Sequence, residues 1–195
     1  MSQATASPTI PVPRWLHELH GTETTRRDIA LVQGSAWSLT ALLMVAAVAD
    51  GLPLGAVMLL ALLTVDIAGG VVSNVTPGTN AHYNASRRTR VVVIAVHVLQ
   101  PAALIWLFPA WAMPIAGVAT VTLGAAFGVE FLTRRADAAP VAIATAITLI
   151  ALILLAPAAI GPAPFVGLPL ILVLYVLKVA VAFPVDWYPD ARTPH

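Results

Sequence analysis

Residues 53–73 read P-L-G-A-V-M-L-L-A-L-L-T-V-D-I-A-G-G-V-V-S, an apolar run interrupted by a single carboxylate, Asp66. About 20 consecutive apolar residues cross the hydrocarbon core of a bilayer as one helix, and this stretch has that length. A spanning strand alternates apolar and polar side chains, which this run does not. Working outward, similar runs occupy 29–49, 91–108, 112–132, 140–155 and 165–183. The fifth is short unless it continues through 156–160, where Pro and Gly loosen the boundary. The predicted fold is therefore all-α, a polytopic membrane bundle of six helices.

The basic residues give that bundle a direction. Arg14, Arg26 and Arg27 precede the first run, and Arg87, Arg88 and Arg90 separate the second from the third. Arg134 and Arg135 separate the fourth from the fifth, and Arg192 follows the sixth. The connections near Gly51, Ala110 and Gly161 carry no Lys or Arg. Cytoplasmic loops are enriched in Lys and Arg, so both termini are predicted in the cytoplasm, with three antiparallel hairpins between them. The division is a cytoplasmic segment 1–28, a transmembrane domain 29–183 and a cytoplasmic tail 184–195.

Composition agrees, at 59% hydrophobic and 10% charged residues over 195 positions. A net charge of +1 makes no case for nucleic acid as a partner. With no Cys, disulfides, thiolate metal sites and dithiol redox chemistry are excluded. Residues 1–25 are polar and lack the apolar core of a cleavable signal peptide, so the first span is expected to serve as a signal anchor. Residues 1–13 are expected to be disordered. R-W-L-H-E-L-H at 14–20 reads as amphipathic turns with Trp15 and Leu16 facing lipid, and Thr25 or Thr24 as the cap of the first span. Trp106 with Trp111, and Trp187 with Tyr188, fit aromatic interface belts.

Ionisable groups inside a membrane are costly and mark candidate sites. Counted from the predicted inner ends at 1.5 Å per residue, Asp66 lies ~10 Å deep, His97 ~9 Å and Lys178 ~8 Å. Three helices thus place a carboxylate, an imidazole and an ammonium in one layer. Asp66 and Lys178 are the natural pair, although Lys178 can also snorkel to the interface. Glu130 sits near the inner end of the fourth span, where it can snorkel or meet Arg134 at i+4. In H-V-L-Q-P, Pro101 has no N–H to give the carbonyl of His97. A kink, a free carbonyl, His97 and Gln100 then form a polar pocket, or His97 is simply satisfied by a neighbour. A bis-His haem would need a second ligand at matching depth, and none is evident.

Residues 66–83, D-I-A-G-G-V-V-S-N-V-T-P-G-T-N-A-H-Y, form the strongest local motif. Asp66, Gly69 or Gly70, and Ser73 or Asn74 share a helical face. That face is either a close-packing seam or a substrate path. Asn74-Val-Thr76-Pro77-Gly78 then ends the helix with turn chemistry. Spacings for zinc, Walker-type nucleotide binding or a Ser–His–Asp triad are absent.

D-x-x-G-G-x-x-x-N-x-T followed by Tyr83 and a basic loop, H-x-x-Q-P at 97–101, and Tyr175-Val-Leu-Lys178 before an acidic, aromatic tail together resemble an uncharacterised family of small bacterial integral membrane proteins. The resemblance touches spans two, three and six. It implies a bacterial inner-membrane location and carries no activity and no site residues with it.

Three functions stay open. The first is a transporter or proton- or ion-conducting protein that uses Asp66, His97, Lys178 and Gln100, with Asn74, Glu130, Tyr83 and Tyr175 as secondary candidates. The second is a membrane enzyme or a lipid- or cofactor-binding protein with a pocket on the cytoplasmic leaflet. There His97 would be acid/base or ligand, Lys178 and the Arg87–Arg90 cluster would hold an anionic head group, and Tyr83 would line the entrance. The third is a non-catalytic subunit that offers the glycine seam to a partner. No cofactor and no metal are predicted. The lipid bilayer is the expected partner, with a second copy or another membrane protein left open.

Overall fold

The computed structural model describes residues 8–132 and 135–189. Residues 1–7, Arg134 and Arg192, used above for disorder, orientation and a partner to Glu130, lie outside the described residues. The chain opens with strand β1 (Thr9–Pro11), helix α1 (His17–His20) and strand β2 (Glu23–Thr25), and the two strands pair antiparallel. Thr25 then caps α2 (Arg26–Ala49): its Oγ1 accepts from the Asp28 N–H at 3.1 Å and donates to Asp28 Oδ2 at 2.9 Å. The cap satisfies an N–H that has no partner within the helix.

Next come α3 (Leu54–Asn74), α4 (Pro77–Asn84), α5 (Arg87–Val96), α6 (Leu99–Leu107), α7 (Ala112–Leu132), α8 (Ala139–Ile160) and α9 (Leu168–Val176). The helix of α9 widens into a π-helical segment over Leu177–Ala182. Among the described residues, five helices are long and apolar enough to cross a membrane, with α5 and α6 together forming one of them. The α9–π helix is apolar but shorter. The fifth run does extend, since α8 continues through Pro157 to Ile160.

The short last helix is the centre of the bundle. It packs against α3, α7 and α8, and Leu168, Ile171, Leu172, Tyr175, Val176, Val179 and Ala180 along it are all buried. A helix that is apolar on every side belongs in such a place. The outward faces of the other helices carry exposed apolar side chains such as Leu42, Val45, Leu62, Met113 and Leu154. α3 packs on α2, and α6 on α7.

One end of the bundle holds the connections without Lys or Arg. There Asp50 Oδ2 accepts from the Val166 N–H at 2.8 Å, and Phe108 stacks on Phe165. The other end gathers the basic connections. Arg135 donates to the carbonyls of Pro184 (2.7 Å) and Phe183 (2.6 Å) and to Asn84 Oδ1, while Asn80 Nδ2 donates to the Val185 carbonyl at 3.0 Å.

Several expectations change at this second end. The segment 74–90 is not a plain loop, because Pro77 starts α4, a position where its missing N–H costs nothing. Residues 8–13, expected to be disordered, contribute strand β1, which pairs with β2, and β2 and α1 pack onto α4. The docking is backbone to backbone: Gly21, at φ +72°, lies where a Cβ would strike the Gly78 carbonyl, and a Cβ on Gly78 would strike the Glu23 carbonyl. Both positions exclude side chains. Trp15 projects outward as expected, but Trp111 is buried in the core rather than placed in an interface belt.

Candidate functional site

Asp66, Lys178 and Gln100 meet. Lys178 Nζ lies 2.8 Å from Asp66 Oδ1 and 3.1 Å from the Asp66 carbonyl, and Gln100 Nε2 donates to Asp66 Oδ2. Their helices bring them together for separate reasons. The stem of Lys178 runs across Gly70, where an added Cβ would lie 2.7 Å from Cδ and 2.9 Å from Nζ. Gly70 is therefore the gap through which the ammonium reaches Asp66. The π-helical turn carries Lys178 itself, and the Phe183 N–H donates to the Lys178 carbonyl at 3.0 Å. Such widened turns recur at functional sites.

The expected kink is present. α5 ends at Val96, α6 starts at Leu99, and Pro101 sits in the first turn beyond the break. The carbonyl of His97, deprived of a donor by Pro101, accepts from the Tyr175 hydroxyl at 3.4 Å. His97 Nδ1 lies 2.6 Å from the Val93 carbonyl. A carbonyl only accepts, so Nδ1 carries the proton.

α3 and the α5–α6 pair leave a cavity of about 470 Å3 between them, floored by the last helix. Asp66, His97, Gln100, Lys178, Asn74 and Tyr83 line it. The predicted layer thus lines one cavity, together with the secondary candidates Asn74 and Tyr83. Lys178 is 6% exposed and Asp66 60%, so the pair presents its carboxylate to open space and hides its ammonium.

The N-terminal segment closes one side of the cavity. Tyr83 donates to Glu18 Oε2 at 2.7 Å and to the Glu18 carbonyl at 3.1 Å. The Leu19 carbonyl accepts from Ser73 Oγ at 2.6 Å and from Thr79 Oγ1 at 3.0 Å. Burial first, and then the bond to Glu18, raise the pKa of Tyr83 above the usual tyrosine value of 10.0. Burial likewise lowers His20 below the usual histidine value of 6.5, partly countered by Asp28. Sequence reading missed Glu18, because nothing in the local pattern of 14–20 signals a partner 65 residues away.

Two further candidates resolve differently. Glu130 does not snorkel; it is buried and accepts twice from Arg90, at 2.8 Å to each oxygen, with Arg87 Nε at 3.4 Å. Arg90 also donates to the carbonyls of Tyr83 (2.9 Å) and Asn84 (3.3 Å). Glu130 is therefore outside the cavity, and Arg90 is committed to it rather than displayed as an anion cradle. The seam of span two is a packing seam: a Cβ on Gly69 would meet Ala36 at 3.3 Å, and Gly70 faces Lys178. The glycine face offered to a partner in the third reading is used within the chain.

Among the described residues, no group of three or more His, Asp or Glu is placed to hold a metal ion. Compared with protein-family models, curated proteins and solved structures, the chain matches none.

Proposed function

We propose that this chain is a small multi-pass protein of the bacterial inner membrane. In this reading it crosses six times as three antiparallel hairpins, with both termini in the cytoplasm, and moves protons or other small cations through the Asp66–His97–Lys178 layer. The gathering of the basic connections at one end supports the orientation, since such loops favour the cytoplasmic side. The central position of the last helix supports a sixth crossing, because neighbouring helices rather than lipid surround it.

One observation carries the transport reading: the asymmetry of the Asp66–Lys178 pair. A purely structural pair hides both charges, as buried charges demand. Here both groups line the cavity, but the carboxylate is largely exposed while the ammonium is almost wholly buried. A proton or cation arriving from the cavity meets Asp66 and competes with Lys178 for it. Gln100 and His97 stand beside Asp66 as the next polar groups.

Reconstitution into liposomes loaded with a pH-sensitive dye tests this. The wild-type chain conducts under a pH gradient, and Asp66→Asn abolishes the flux while retaining the native elution profile and helical signal. Wild-type flux in Asp66→Asn overturns the relay. The cavity itself favours a second reading, a binding pocket for a membrane-borne molecule with its polar part at Asp66.

A further inference from the structure

Two carboxylates and one ammonium line the cavity, Glu18 and Asp66 against Lys178, which leaves one negative charge over. His97 does not cancel it: among the described residues its buried Nε2 has no hydrogen-bond partner, so a second proton there would be stranded. The two signs are also presented differently. The Asp66 and Glu18 side chains are 60% and 63% exposed, whereas that of Lys178 is buried. Lys178 takes one Asp66 oxygen and Gln100 the other, while a carboxylate oxygen can accept from about two donors. Asp66 thus keeps room for a further positive group.

Most of the remaining wall is hydrocarbon and aromatic, from Leu19, Val93, Val96, Leu99, Tyr83 and Phe183. Val96 and Leu99 are also exposed on the outside of the α5–α6 pair, so on that side the cavity borders the acyl chains of a surrounding bilayer. A compact metal ion takes about six oxygen ligands, and such a wall supplies no cage of that kind. A proton occupies none of the roughly 470 Å3 of space. An anion would meet two exposed carboxylates. An organic cation differs from all three, because it carries its own apolar surface and needs a counter-charge rather than a cage of oxygens.

We infer that the cavity binds an organic monocation with an apolar body. Asp66 and Glu18 hold its charge, Leu19, Val96 and Leu99 receive its body, and it competes with the proton for Asp66. The inference rests on the cavity being the working site proposed above, and it names the class of molecule taken there.

The test uses the full chain in phosphatidylcholine nanodiscs and equilibrium dialysis of radiolabelled tetraphenylphosphonium, at about pH 8, where histidines are ordinarily uncharged. Tetraphenylborate, of the same shape and opposite charge, is the control. Saturable binding of the phosphonium is expected, with only linear partitioning of the borate. Glu18→Gln, whose amide oxygen can still accept from Tyr83, weakens that binding about threefold, as loss of an exposed charge does. Asp66→Asn, which leaves Lys178 as the surplus charge, weakens it about tenfold or more. Ala61→Phe fills a separate apolar groove between α2 and α3 that Asp66 also borders, and leaves the binding unchanged. Equal saturation by both ions overturns the inference, as does wild-type affinity in correctly folded Glu18→Gln. Loss of binding in Ala61→Phe would place the cation in the groove and overturns it too. Proton flux of the same chain in liposomes separates the two ideas. Flux without saturable phosphonium binding overturns the organic cation and leaves the relay standing. Saturable, charge-selective binding in a chain with no flux supports the organic cation and overturns proton conduction.

Discussion

Two carboxylate–cation pairs among the described residues are built in opposite ways. Glu130 and Arg90 form a bidentate pair, with side chains 3% and 11% exposed, and Arg90 is further tied to two backbone carbonyls. Asp66 and Lys178 form a single contact, with the carboxylate 60% exposed and one oxygen given to Gln100. A closed pair has spent its hydrogen-bonding capacity on the fold. An open pair keeps a carboxylate that can exchange partners. The contrast separates a charge that holds α5 to α7 from one that is available for chemistry.

The largest effect should come from breaking a pair outright. Glu130→Ala leaves Arg90 buried without its counter-charge and should cost about 3–5 kcal/mol, as one-sided disruption of buried pairs does. Asp66→Ala strands Lys178 in the same way and should cost a comparable amount. The amide variants separate the pairs: Asp66→Asn keeps the one oxygen that Lys178 uses, whereas Glu130→Gln takes one of the two that Arg90 uses and should cost more. Denaturant unfolding in detergent compares the two amide variants, and equal losses would erase the distinction between the pairs. The open pair can then be perturbed without touching either charge. Gly70→Ala puts a methyl into the stem of Lys178, an overpacking expected to cost about 1–3 kcal/mol and to lower flux sharply. Gly69→Ala meets Ala36 at 3.3 Å and Leu19 at 4.0 Å, neither of them part of the ion pair, and should leave flux near wild type; equal flux in both variants would remove Gly70 from the site.

A smaller effect is expected from Tyr175→Phe. It withdraws the donor from the His97 carbonyl that Pro101 leaves free, a loss of about 1 kcal/mol, read as a lower unfolding temperature. In Pro101→Ala the helix can supply that donor, so the Tyr175→Phe penalty should shrink. The smallest effect concerns the N-terminal segment. His20 is disfavoured as a cation in the fold, so its contribution to stability is present above pH 6.5 and is lost as pH falls below that value. Proteolysis of the segment 8–25 should accelerate on acidification, and His20→Gln should flatten that dependence. A pH-independent cleavage rate in the wild type would show that His20 does not govern docking.

The sequence by itself determined what local chemistry dictates. Apolar length marked the helices, and the fourth span, 112–132, coincides with α7. The missing N–H of Pro101 specified both the break after Val96 and the free carbonyl at His97, because a proline acts on its own turn. Helical rise alone placed Asp66, His97 and Lys178 at one depth, and the structure gathers them around one cavity. Tertiary structure decided the rest. Whether Glu130 meets a neighbour one turn away or Arg90 on another helix depends on how α5 packs on α7, which depth does not encode. The glycines at 21 and 78 are each ordinary turn residues until two backbones are brought together. Lys178 could snorkel or pair, and only the Gly70 gap and the widened turn at 177–182 direct it inward. Desolvation, pairing and steric exclusion depend on what lies across the interface, so they are settled when the helices pack.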